Sequence, residues 1–134
     1  MGGAGMSEEA EALKARTMSF ALDVCRLIRE LPREEPGPTA KRQLAKAATS
    51  VAMNYRASCR ARSHTEFTAK MGLVAEEADE SQGWLEFIDA ASLIVSAAEL
   101  ARLLQESTEL CAIVSTSFAT ARRKEHERKR KRKP

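Results

Sequence analysis

Apolar residues recur every three or four positions along most of the chain, in four runs separated by short breaks. The first run is Leu13, Thr17, Phe20, Val24, Leu27 and Leu31, a single stripe along one side of a helix. Ser7 is placed to cap that helix, and Glu8, Glu9 and Glu11 suit the positive end of its dipole. Pro32 stops it, and residues 32–38 (PREEPGP) form the first turn. Pro38 then sits near the start of a second helix, where its missing N–H costs little. Leu44, Ala48, Val51, Tyr55 and Cys59 mark the buried side of that second helix. Ser63-His64-Thr65-Glu66 is a capping box opening a third helix. Its stripe, Phe67, Met71, Val74, Ala78, Ser81, Leu85 and Ile88, alternates steps of four and three, the signature of long, nearly parallel helix contacts. No glycine or proline marks its end, which falls somewhere in 89–95. Ser96-Ala97-Ala98-Glu99 is a second capping box, followed by Leu100, Leu103, Leu104, Ser107, Cys111, Val114, Phe118 and Ala121. No segment reads as a strand and no repeat has solenoid spacing. The expected fold is all-α, an antiparallel up-down-up-down four-helix bundle.

Composition agrees and adds limits. With 134 residues, 43% apolar and 31% charged, the chain has room for one modest core. No apolar stretch approaches the roughly 18–20 residues that span a bilayer, so no membrane partner is expected. The start, MGGAGMSEEAE, lacks the basic flank and apolar run of a signal peptide. Cys25, Cys59 and Cys111 are odd in number and show no CxxC spacing, so they read as buried, reduced thiols of a cytoplasmic protein. The organisation expected is a disordered N-terminus over 1–6, the bundle over 7–121, and a basic C-terminal tail over 122–134 that ends helix four and then becomes disordered.

Charge changes the picture more than composition does. The tail, RRKEHERKRKRKP, holds nine cations (Arg122, Arg123, Lys124, Arg128, Lys129, Arg130, Lys131, Arg132 and Lys133) against two acids, net +7 in a chain whose total is +3. Residues 37–70 carry seven cations and one acid, net +6, whereas 71–121 carry one cation and nine acids, net −8. Two readings follow. The basic second helix and the acidic third and fourth could neutralise one another inside one bundle, each exposed pair contributing about 0–1 kcal/mol. Alternatively, opposite charges on opposite sides suit head-to-tail contact between copies, which closes into a ring when the rotation permits.

The middle of the chain carries a resemblance. Ala47-Ala48-Thr49-Ser50-Val51-Ala52, then Asn54, RASCRARS (56–63), Glu66-Phe67, the acidic run Glu76-Glu77-Ala78-Asp79-Glu80 and Trp84-Leu85 follow one another in order and spacing. In these features the chain resembles the bacterial S23 ribosomal, or 23S rRNA-intervening-sequence, protein family, with a looser pattern over roughly 12–122. The resemblance implies an up-down four-helix bundle that packs into a ring-like homo-pentamer. It also points to a related group, the accessory proteins of diversity-generating retroelements, which form such rings and bind nucleic acid and a reverse transcriptase. The terminal RKRKRKP looks particular to this chain.

Catalytic chemistry is hard to place anywhere. Glu76, Glu77 and Glu80 could be imagined as metal ligands, but a carboxylate-bridged bundle site needs Glu-x-x-His pairs, and the sequence contains none. They read instead as solvated or subunit-facing acids. Arg56, Arg60 and Arg62 could contact phosphate or pair with those acids on this or a neighbouring subunit, since Arg matches either fork. Asn54 reads as a structural hydrogen-bonder, and Tyr55 and Trp84 as amphipathic anchors for the core or a subunit interface. Cys59 has arginine neighbours but no histidine base except His64. Gly37, Gly72 and Gly83 lie too far apart for a nucleotide-binding loop. No cofactor, no metal and no enzymatic activity are therefore expected.

The functional expectation rests on the tail. A dense cationic block seeks polyanions, mostly through phosphate contacts that tolerate sequence and weaken with salt. The first reading is a non-enzymatic, ring-forming bundle that binds RNA or DNA electrostatically through residues 122–134. The alternative is an oligomeric adaptor that presents its surface to an unidentified protein and needs no tail.

Overall fold

The computed structural model describes residues 6–93 and 95–132, so the expected disordered start lies outside the described residues except for Met6. Four helices form an antiparallel bundle: α1 (Glu8–Leu27), α2 (Gly37–Cys59), α3 (His64–Ala90) and α4 (Ala97–Arg132). Among the described residues there is no strand. Each consecutive pair packs side by side, and α1 closes the ring of four against α4 more sparsely than α3 does.

The capping residues act largely as their spacing implies. The Ser7 hydroxyl accepts the Ala10 N–H at 3.0 Å, and the Ser63 hydroxyl accepts the Glu66 N–H at 3.0 Å. The Glu66 carboxylate reaches back to the N–H of Arg62 at 3.4 Å, one residue before the cap. At α4 the Ser96 hydroxyl accepts the Glu99 N–H at 3.4 Å, while the Ser96 N–H donates to Glu30 at 2.6 Å and ties that helix start to the first turn.

Between α1 and α2 the chain makes a short 3-10 turn over Ile28–Glu30 before Pro32. Gly37 is needed for packing, since a Cβ there would lie 2.0 Å from the Pro32 carbonyl oxygen. The end of α3, unmarked in the sequence, is a Schellman turn. Ser92 takes the left-handed conformation (φ 53°), its N–H donates to Asp89, and the Leu93 N–H donates to Ile88 at 3.2 Å. Leu93 then packs on the core, the hydrophobic contact such turns usually carry.

The core has two halves. One, at the end with the α1–α2 and α3–α4 turns, draws on all four helices: Phe20, Val24, Leu27, Leu44, Leu85, Ile88, Leu100 and Leu103. The other, near the α2–α3 turn, is made by Val51, Tyr55, Met71, Val74, Ala78 and Val114, and α1 adds only Leu13 at its margin. There α1 and α4 stand apart, leaving a groove of about 480 Å³ lined by Leu13, Arg16, Tyr55 and Ile113.

Candidate nucleic-acid and subunit interfaces

The charges divide by seam. Across α1 and α4, Arg16 grips Glu106 with two nitrogens, Nε at 2.7 Å and a guanidinium NH2 at 2.8 Å, and reaches Glu109 at 2.8 Å. Arg102 pairs with Asp23 at 2.8 Å and with Glu99 one turn before it. The Arg102 hydrogen bond holds the Glu99 carboxyl below its ordinary range, and hydrogen bonds from Gln105 first and Arg16 second do the same for Glu109.

Across α2 and α3 the opposite holds. No ion pair joins these helices among the described residues, although they pack along most of their length. Register explains why Arg56, Arg60 and Arg62 do not neutralise the acids of α3, whereas Lys46 does come near Glu77. The chain turns back after four residues, 60–63, so Arg56, Arg60 and Arg62 collect beside the first turns of α3. Glu76 lies twelve residues beyond His64, about 18 Å along the helix. The arginines instead share a shallow groove of about 350 Å³ with Lys70, Glu66 and the exposed side chain of Met53.

At the other level of the same face stand Glu76, Glu77 and Glu80. Glu77 is half-buried, and its Oε1 has no hydrogen-bond partner among the described residues. Burial, with the neighbouring Glu80 charge second, pushes its carboxyl above the ordinary range, and Lys46 only partly offsets this. Leu73 and Phe87 are exposed on α3, at 41% each, and Trp84 stacks edge-on against Phe87 with centroids 5.4 Å apart. At helical spacing Lys70, Leu73, Glu77, Glu80, Trp84 and Phe87 share one side of α3, where Leu73, Glu80 and Phe87 are exposed while Glu77 is half-buried and Trp84 packs partly against the core. Tyr55 does not belong with them. It is 7% exposed, packed in the core near the α1–α4 groove, and burial beside Cys59 raises its phenol well above the ordinary range.

The tail continues α4 as helix through Arg132, while Lys133 and Pro134 lie outside the described residues. Its root is anchored on the start of α3. His64 Nε2 lies 3.0 Å from the Ala121 carbonyl oxygen, and the Thr65 hydroxyl donates to Glu125. Arg122 sits over the Phe118 ring at 5.6 Å. None of Arg122, Arg123, Lys124, Arg128, Lys129, Arg130, Lys131 and Arg132 makes an ion pair with a carboxylate of α3 or α4 among the described residues. Glu125 and Glu127 stand four residues before Lys129 and Lys131, an arrangement that favours helix, as do cations at a helix C-terminus. The anchoring by His64 and Thr65 was hidden in the sequence, where both residues read only as part of a cap. Lys70 and Met53 were missed as neighbours of the arginines, though Met53, Arg56 and Arg60 do step by three and four along α2.

The remaining polar candidates serve the fold. The Asn54 amide donates to the Ser50 carbonyl at 3.0 Å, one turn back. Cys25, Cys59 and Cys111 are half-buried free thiols, and burial raises the Cys111 thiol. Among the described residues no three His, Cys, Asp or Glu side chains stand close enough to share a metal ion, and no helix is long and apolar enough to cross a membrane.

Comparison with known proteins agrees with this architecture. No curated protein matches the chain. Among solved structures, a protein of unknown function from the S23 ribosomal protein family of Bacteroides thetaiotaomicron superposes with a TM-score of 0.70 at 23% identity, covering 78% of this chain and 96% of that one. That likeness is one of fold. The sequence model of the family described as 23S rRNA-intervening sequence protein matches residues 10–116, which takes in most of the bundle and stops short of the basic tail. The chain belongs to the 23S rRNA-intervening sequence protein family.

Proposed function

We propose that this protein is a non-enzymatic, self-assembling helical bundle that binds nucleic acid through its C-terminal tail. The observation carrying the proposal is that the tail projects as a continuation of α4, with its cations unpaired to the acids of its own bundle among the described residues. A cationic rod held away from the acidic surface keeps its charge available to phosphates. Filter binding at several salt concentrations, with the full chain and with residues 122–134 removed, tests it. The truncated chain should lose most of its affinity at about 0.15 M salt, and equal binding by both forms would remove the proposal.

Assembly is the second half of the proposal. The outward α2–α3 face has unpaired cations at one level, unpaired acids at another and exposed Met53, Leu73 and Phe87 between and beyond them. A second copy offset along this face would bring Arg56 and Arg60 toward Glu76, Glu77 and Glu80 and supply a donor for the orphaned Glu77 oxygen. The closed five-fold ring implied by the resemblance is the assembly proposed, and it would multiply the tails and raise avidity. Light scattering at micromolar concentration should give a mass about five times 14.8 kDa, whereas a monomer would refute this half.

A further inference from the structure

We infer that the tail recognises one form of nucleic acid, the major groove of B-form duplex DNA. This inference rests on the reading of the tail as a polyanion-binding element and narrows its ligand. Three observations carry it.

The first is rigidity and width. The tail is helix through Arg132, continuous with a helix packed by one face in the bundle and pinned at its root by the Thr65–Glu125 hydrogen bond. An α-helix with its side chains is about 10–12 Å across. The major groove of B-DNA is about 12 Å wide, whereas that of A-form RNA is too deep and narrow for side chains to read.

The second is reach. Seven described residues follow Glu125, an overhang of about 10 Å at 1.5 Å per residue. The B-form major groove is about 8.5 Å deep, so the overhang can seat while the bundle stays outside.

The third is the distribution of charge. Arg128, Lys129, Arg130, Lys131 and Arg132 are consecutive, and at 100° per residue five consecutive positions encircle the helix. A single basic stripe would suit one wall. Cations on every side suit a slot with a phosphate backbone on both sides, which is what a helix meets inside a groove. With no apolar or amide side chain in this stretch, contacts fall mainly on phosphates and tolerate sequence.

The test is fluorescence anisotropy with the full-length protein at about 0.15 M salt, against a labelled, fully paired DNA duplex of about 20 base pairs and the RNA duplex of the same sequence. Two variants separate rigidity from charge. His126→Pro breaks the helix at the start of the overhang while keeping every cation, and His126→Ala keeps both. Light scattering checks that each variant retains the parent's mass. The expected result is DNA bound at least about tenfold more tightly than RNA by the parent and His126→Ala, with the preference lost in His126→Pro. Equal binding of both duplexes, or a His126→Pro variant that keeps the preference, overturns this inference while tail-dependent binding stands. Failure to bind either duplex overturns this inference, and the reading of the tail falls with it when filter binding also shows no difference between the full and truncated chains.

Discussion

The α1–α4 seam and the outward α2–α3 face both carry arginines and carboxylates, and they put them to opposite use. On the seam, Arg16 and Arg102 each hold two carboxylates at 2.5–2.8 Å, so the charge is consumed within the chain. On the face, Arg56, Arg60 and Arg62 stand beside the start of α3 and Glu76, Glu77 and Glu80 about 18–24 Å beyond it, so none of these arginines pairs with these acids among the described residues. The tail goes further, carrying its charge beyond the bundle. The difference teaches that register, more than composition, decides whether a charge belongs to the fold or to a partner.

The largest effect that would break this comparison is on assembly. Arg56→Glu with Arg60→Glu should dissociate the oligomer to monomer at micromolar concentration by light scattering, with the helical circular dichroism unchanged. An intact oligomer would mean that these arginines serve only phosphate. The matching change on the seam, Arg16→Ala, should leave the mass untouched and lower the unfolding free energy by about 1 kcal/mol, seen as a lower urea midpoint.

Glu77 sharpens the contrast through its sign. Its folded carboxyl titrates above the ordinary 4.5, so the folded monomer binds its proton more tightly than the unfolded chain does. Monomer stability is therefore greatest below that value and declines as pH rises through the folded value. In the dissociated Arg56→Glu, Arg60→Glu background, Glu77→Gln should raise the thermal midpoint at pH 7 by a few degrees and have no effect near pH 3. In the assembled parent it should weaken the oligomer instead, because the carboxylate is then paired. A rise in both backgrounds would argue against a donor from the next subunit.

The smallest effect concerns a site unrelated to charge. Ser92→Gly should stabilise the chain by about 0.5–1 kcal/mol, since only glycine takes a left-handed position without strain. A loss of stability would mean that the Ser92 side chain has a partner.

Much of the fold was legible because the stripes and caps act locally. The 3.6-residue rhythm from Leu13 to Ala121 places the buried faces, and Ser7, Ser63 and Ser96 start the helices they imply. The end of α3 was not legible, because a serine does there what glycine usually does. The interfaces were legible only in part. Sequence shows that charges are segregated, but pairing depends on the level at which antiparallel helices meet, which a linear count does not hold. Tyr55, amphipathic, suits either the core or a subunit interface by type alone; its place on the inward stripe with Val51 is what puts it in the core. The anchoring of the tail by His64 joins residues 57 positions apart and leaves no local trace.

The most direct test of the central claim, that the tail cations left unpaired by the fold serve a phosphate partner, is the salt dependence of binding to a DNA duplex. Each phosphate neutralised contributes about −0.9 to the slope of log affinity against log salt. The full chain should show a steep slope that becomes shallower by at least about four units when residues 122–134 are removed. A slope that is the same with and without the tail would contradict the account.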